Sequence, residues 1–427
     1  MVAKYARSVQ GQFLDYHNAL SNFGFNAQRF LISGSLQGLG GGMLAAVFGI
    51  YIKTAGMSER VVGDAEAALA AAAAVVSLLG TPLIARFGYR ALMLGALLLM
   101  VGARLGMASF TAAGALIGFS IAVGLGDGFL RAVGSAFMSQ NSHSEERGHL
   151  FSIDFLARVS ASILGGLLGG YLPELLDGSM SEVASYQWTI AAAALIIALG
   201  IGPIMSLKEV ERPKTSVMGA YRASFLMLTS WRRLLRVVGP QASIAMAGGM
   251  VVPFVPLYLK GELGIGMGHV GLILGVASAV TALGVFGIPV VARKLGLPAG
   301  VALLQGLTVP LLAAVGFAGS LQFAIVSLFV RGALMNMAGP LYNQLALEGL
   351  PDEDKPVLSG WMFFGLNMMC FLGNKIGGHL MEVSYTLPYS IAAILYAFGA
   401  VTTVVVWRAA VPESVRTPAL RVLADAA

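Results

Sequence analysis

Charged residues are scarce in this chain. Asp, Glu, Lys and Arg together make up 11% of its 427 residues, against roughly a quarter in an ordinary soluble domain. So little charge cannot solvate a surface of this size, which excludes the soluble multidomain protein that the length alone would suit. Cysteine is scarcer still. With Cys370 the sole example, no disulfide forms within the chain, no thiolate metal site exists and redox chemistry is not supported. His143 and His149 share a loop, but no His and Glu spacing marks a metal site. The sequence also lacks a nucleophile with a base nearby, so neither catalysis nor a cofactor is expected. The polar-apolar alternation of an outer-membrane barrel is missing as well.

Long apolar runs are present instead, and hydrophobic residues reach 57%. Stretches of about 20 residues can cross a hydrocarbon core of about 30 Å. Twelve are expected, at 30–52, 64–85, 90–109, 112–138, 150–172, 186–207, 237–259, 268–292, 298–318, 321–347, 357–382 and 386–408. Lipid offers unpaired backbone groups no partner, so each is predicted to be helical. Residues 1–29 are too polar to span and lack the apolar core and cleavage site of a signal peptide. They read equally as an interfacial helix, with Phe13, Leu14 and Phe23 toward lipid, and as a cytoplasmic tail. Residues 208–236, carrying seven basic side chains and Pro213, are predicted to be a cytoplasmic linker, and 409–427 a cytoplasmic tail. Within the linker, the run from Tyr221 to Leu235 fits a short surface helix or a solvated connector.

Basic residues orient the chain. With both termini inside, nineteen of the 27 Lys and Arg fall on the cytoplasmic side, and only Lys53, Arg60 and Lys260 fall outside. This bias predicts a multi-pass protein of the plasma or inner membrane. The net charge of +6 is distributed between apolar segments, not along one polar face. Nucleic-acid binding is therefore excluded, and the lipid bilayer is the expected partner.

One stretch occurs twice. GGMLAAVFGIYIK runs from Gly41 to Lys53 and GGMVVPFVPLYLK from Gly248 to Lys260, an offset of 207 residues. GTPLIAR from Gly80 and GIPVVAR from Gly287 keep that offset, and GGYLPE from Gly169 matches GGHLME from Gly377 at 208. Composition can supply matches, but it does not supply a common register. Gln140 and Gln344 end the fourth and tenth spans, each followed by a polar loop. Two related six-helix halves follow, at 30–207 and 237–408.

The twelve spans, the two halves and the basic linker resemble the major facilitator superfamily of transporters. In the loop GTPLIARFGYR, Gly80, Arg86, Gly88 and Arg90 match the family's signature, with Ala85 where that signature has Asp. Glu146-Arg147-Gly148 after the fourth span is common in the family, and LGGLLGG from Leu164 resembles its antiporter glycine motif with Gly166 in place of Pro. The resemblance implies an all-α polytopic fold of two pseudo-twofold related bundles and a monomer. It further implies that spans 1, 4, 7 and 10 line a cavity, that 2, 5, 8 and 11 join the halves, and that 3, 6, 9 and 12 face lipid. Arg86, Gly88, Arg90 and Arg293 would be gating residues.

Buried charge is costly in lipid, about 2.5–3.5 kcal/mol per group even on the lenient scale. Asp127 with Arg131, and Asp154 with Arg158, sit four apart and share a helix face. They are expected to neutralise each other or to relay charge, Asp127 being the first candidate for a proton carrier and Asp154 the second. Arg331 and Asp127 both lie thirteen residues before their glutamine, about 20 Å along a helix. Arg331 is expected to pair with Asp127 across the halves or to meet an anionic solute, with Gln37, Gln241, Asn336 and Asn367 as polar neighbours. Arg104, near the outer end of the third span, is expected to snorkel. In the span interiors, Arg131, Arg158, Arg331 and Lys375 outnumber Asp127 and Asp154. The reading is a secondary transporter for a small anionic or zwitterionic solute, proton-coupled or a facilitator, with a multidrug antiporter or a lipid flippase of the same fold as alternatives.

Overall fold

A computed structural model describes residues 23–141, 147–208, 231–316, 321–350 and 355–408. The expected surface segment before residue 23, linker residues 209–230 and the tail at 409–427 lie outside these. Twelve described helices are long and apolar enough to cross a membrane. They are α1 (Phe25–Thr54), α2 (Glu59–Phe87), α3 (Tyr89–Ser109), α4 (Ala113–Gln140), α5 (Arg147–Leu176), α6 (Glu182–Leu199, continued by Ile201–Met205), α7 (Trp231–Val251), α8 (Met267–Val285), α9 (Leu297–Gly316), α10 (Leu321–Leu347), α11 (Lys355–Val383) and α12 (Leu387–Arg408). Each overlaps the span expected for it. The expected surface helix ending at Leu235 is, from Trp231 onward, the first turn of α7.

Proline explains where the two halves differ locally. After Val251, α7 passes through a 3-10 turn at Val252–Phe254, an α turn at Val255–Leu257 and a π turn at Tyr258–Glu262. Pro253 and Pro256 lack the N–H groups that a continuous ladder needs. The matching positions of α1 hold Ala46 and Gly49, and that helix runs unbroken to Thr54. Both halves turn sharply at one glycine, Gly88 at φ 79° before α3 and Gly296 at φ 74° before α9. A side chain in that left-handed conformation would clash, so the two positions require glycine.

Because twelve is even, the described chain begins and ends on one side, called here the near face, and the loops after α1, α5, α7 and α11 lie on the far face. Helix packing repeats between the halves at the level of single contacts. A Cβ at Gly165 of α5 would stand 2.0 Å from the Leu39 carbonyl oxygen of α1, and one at Gly373 of α11 would stand 2.0 Å from that of Met246 on α7. Gly42 meets the Ser162 carbonyl as Gly249 meets that of Cys370. The Tyr51 hydroxyl donates to the Met107 and Phe110 carbonyls at the end of α3, and the Tyr258 hydroxyl donates to the Val315 carbonyl at the end of α9.

Between the halves, α2 packs on α11 and α5 packs on α8. Gly63 lies against Asn374 and Gly378, while Gly170 lies against Met267 and Gly271. Without a hydrophobic drive between helices in lipid, such backbone approach and the van der Waals contact it permits are what associate them. The apolar core is unevenly shared. Toward the far face one cluster spans both halves, with Ile50, Tyr51 and Val62 packed among Met250, Phe254 and Leu257. Toward the near face each half has its own cluster, around Phe30 and Phe137 in the first and around Val301 and Leu341 in the second.

Substituting alanine for Gly373 or Gly165 drives a methyl into a backbone carbonyl that cannot swing aside. A cost of about 1–3 kcal/mol is expected, read as a lower thermal unfolding midpoint of the purified protein in detergent. Gly102→Ala and Gly248→Ala, where nothing lies within 4 Å of the new methyl, are expected to leave that midpoint unchanged.

Candidate functional site

The polar side chains fall into two groups, one tying the halves together at the far face and one distributed over the helices below it. In the first group, Glu59 at the start of α2 is nearly enclosed. It accepts from Lys53 of its own half at 2.7 Å and from the Tyr385 hydroxyl of the other half at 2.6 Å. Burial, and then the bond to this carboxylate, push the Tyr385 phenol above its ordinary range. Lys260, the repeat partner of Lys53, reaches across to Glu182 at 2.9 Å and to the Tyr186 hydroxyl at 2.8 Å. Glu174 of α5 accepts from the Gly268 backbone N–H at 2.7 Å, where α8 begins. Lys375 of α11 pairs with Asp64 of α2 at 3.0 Å. Farther along the α2–α11 seam, the Ser77 hydroxyl donates to the Gly360 carbonyl at 3.3 Å.

Residues expected from the sequence are placed as follows. Asp127 and Arg131 pair at 2.7 Å with Arg131 side-chain exposure of 66%, and Arg104 of α3 lies within electrostatic reach of the same carboxylate. Asp154 holds Arg158 at 2.9 Å. The Arg158 guanidinium also lies over the Phe30 ring, and a Cβ at Gly34 would collide with it. This second pair therefore fastens α5 to α1. Gln37 is half-buried and donates to Ser33 within α1, and Gln241 is half-buried in α7. Asn336 is exposed and Asn367 half-buried, and each donates to a carbonyl one turn back on its own helix. At the near face, Arg86 lies over the Phe87 ring, and Arg86, Arg90 and Arg293 are all exposed, at the opposite end from the ties just described.

Two expectations require correction. Arg331 does not pair with Asp127 across the halves, because Asp127 is engaged by Arg131. Instead Arg331 is 6% exposed and lies on the buried face of α10 with Ser327, Leu328, Ala338 and Leu341. That face packs into its own half. The excess of basic over acidic groups inside the membrane also fails. Asp64 and Glu66 lie inside the second span, both as expected at 64–85 and as observed from Glu59 to Leu79, and they balance the basic groups. Both carboxylates were legible in the sequence, but they fell at the expected helix boundary and so were not counted among interior charges.

Glu66 stands apart from the other carboxylates. It is half-buried, two turns inside α2, and has no ion pair among the described residues. It shares a face with Glu59, Val62 and Ser77, which α2 turns toward α1 and α11, while Ala73 on the same side packs on Gly128 of α4.

Comparison with known proteins is consistent with this geometry. A family model described as Major Facilitator Superfamily matches residues 30–374, whereas no curated protein matches the chain. Among solved structures, a D-xylose-proton symporter superposes with a TM-score of 0.70 at 17% identity, over 92% of this chain and 97% of that one. A bacterial homolog of the human lysosomal transporter Spinster, inward-facing and occupied, gives 0.70 at 12% identity over 90% and 96%. The nucleoside transporter NupG gives 0.65 at 13% identity over 90% and 98%. Identities this low reflect a shared fold only.

Removing the far-face ties is expected to loosen the halves there. Partly exposed ion pairs contribute about 0.2–1 kcal/mol each, and about 1 kcal/mol is roughly a fivefold change in a population ratio. Glu59→Gln with Lys260→Ala, in a Cys370→Ser background spin-labelled on the α1–α2 and α7–α8 loops, should add a longer distance to the pulsed dipolar spectrum. An unaltered distribution would show that the shared apolar core alone holds the far face shut.

Proposed function

The chain belongs to the major facilitator superfamily, and from its geometry we propose a secondary active transporter that moves a small polar solute by alternating access, seen with its far side closed. The observation that carries this reading is the unequal core. One apolar cluster and five polar ties join the halves toward the far face, whereas each half keeps a separate cluster toward the near face. Two bodies, 30–207 and 237–408, that share a core at one end only can rock about the α2–α11 and α5–α8 seams, where glycine backbones meet and few polar bonds, Lys375 to Asp64 and Ser77 to Gly360 among them, have to break. The basic linker supports a near face in the cytoplasm, and the presence of both six-helix halves in one chain supports a monomer.

The solute class follows from the charges that a cavity would present. Arg131 is exposed beside Asp127, Asn336 is exposed on α10, and Gln37, Gln241 and Asn367 are half-buried on α1, α7 and α11. With Asp64 and Glu66 counted, neither sign dominates, so a zwitterion fits better than a simple anion. Coupling to protons requires a carboxylate that can change state without breaking an ion pair. Asp127 and Asp154 each hold an arginine, and Glu66 does not. Glu66 is therefore the coupling carboxylate in this reading, in place of Asp127.

A thermal-stabilisation screen of the purified protein is expected to single out a zwitterionic solute over anions and cationic drugs. In proteoliposomes an imposed proton gradient should then drive accumulation of that solute. Glu66→Gln should abolish accumulation and leave solute exchange at equal pH intact. Accumulation by Glu66→Gln at the rate of the unmodified protein would remove Glu66 from coupling, and indifference to the gradient would leave a facilitator.

A further inference from the structure

Arg331 plays no part in the polar set just described, yet it is a buried cation without an ion-pair partner among the described residues. Guanidinium does not deprotonate in proteins, so the charge cannot be relieved by losing a proton. Arg331 is 6% exposed, it forms no ion pair among the described residues, and its Nε–H has no acceptor. Ser327 lies one turn earlier on the same face of α10, 1% exposed, and its hydroxyl has no partner either. From α12, Tyr389 is fully buried within electrostatic reach of Arg331, its ring 4.9 Å from that of Tyr258 and its hydroxyl also unpartnered. The nearby core is apolar, with Leu312, Val315, Leu328 and Ala392 in the same cluster.

Three features restrict what can satisfy these groups. All three unpartnered groups can donate, and the guanidinium can only donate, so the missing species is an acceptor. The charge is uncompensated in a medium of low dielectric, where breaking or omitting one partner of a buried pair costs several kcal/mol. Water would satisfy the hydrogen bonds but not the charge. Leu312, Val315, Leu328 and Ala392 of the surrounding cluster are all buried, so the acceptor is small. We propose that the second half binds a monovalent inorganic anion of halide size, held by Arg331, Ser327 and Tyr389 between α10 and α12. Because this site lies inside one half, the ion travels with that half and is distinct from the transported solute.

Chloride and bromide are the probes, with gluconate at equal ionic strength as the control, and the readout is thermal unfolding of the full-length protein in detergent. Both halides are expected to raise the unfolding midpoint saturably, and gluconate is not. Arg331→Met should abolish the halide response. Should that variant fail to fold, Tyr389→Phe and Ser327→Ala retain the guanidinium and should weaken the apparent halide affinity about tenfold each, the loss of one charge-assisted hydrogen bond. Crystals grown in bromide should give an anomalous peak beside Arg331. Equal midpoints in halide and gluconate, or a halide response unaltered in Tyr389→Phe and Ser327→Ala, would overturn the site.

Discussion

Between the helices of this protein the closest contacts are made by glycine backbones against carbonyl oxygens, and the rest of the architecture follows from them. In lipid, apolar side chains gain nothing by leaving one hydrocarbon environment for another, so helices associate through close van der Waals contact. Gly165 against Leu39 and Gly373 against Met246 bring α1 to α5 and α7 to α11 at a separation that a methyl group would prevent. Gly170 and Gly271 do the same between the halves. Within a half these contacts hold the helices close, and across the seam they set backbone against backbone beside a few side-chain ties. One residue type thereby supplies both the stiffness and the freedom to slide that a rocking carrier requires.

Placed on that frame, the charges divide by partner. Where an acid and a base stand four residues apart, the helix neutralises itself, as with Asp127 and Arg131 or Asp154 and Arg158. At the far-face helix ends the bases take part in ties between the halves, Lys260 directly and Lys53 through Glu59. Lys53 and Lys260 occupy equivalent positions in the repeat but have diverged in use. Lys53 remains in its own half and steadies the carboxylate that Tyr385 of the other half approaches, while Lys260 crosses directly to Glu182. Duplication thus preserved the position of the cation at the far face without preserving its partner. Asp127 and Arg331 show the same divergence at mid-membrane, since equivalent positions carry opposite charges and only Asp127 is paired within its half.

The contrast between Glu66 and Arg331 shows why burial alone does not define function. Neither has a charged partner among the described residues, and both are expensive in hydrocarbon. Glu66 lies on a face that α2 turns toward the first, fourth and eleventh helices, and a carboxylate can shed its charge by taking a proton. Arg331 is enclosed within one bundle and cannot shed its charge at all. The first condition suits a carrier of protons, and the second calls for a resident counter-ion.

The number of spans, their helical state and the duplication were all legible in the sequence, because each is encoded locally. A run of about 20 apolar residues must be a helix in lipid, and a repeat at an offset of 207 is visible without coordinates. The pairs Asp127–Arg131 and Asp154–Arg158 were legible for the same reason, since helical spacing alone places them together. Partners on different helices were not. The bonds of Lys260 to Glu182, of Tyr385 to Glu59 and of Lys375 to Asp64 join residues whose separation in the chain carries no information about distance. Which face of α10 carries Arg331 was equally out of reach, because a helix apolar on nearly every side has no amphipathic direction, and only packing against α8 and α9 distinguishes its interior from its exterior. Local periodicity determined what the elements are, and the tertiary structure decided which charges meet, because ion pairs between helices depend on distances in space that the order of residues does not specify.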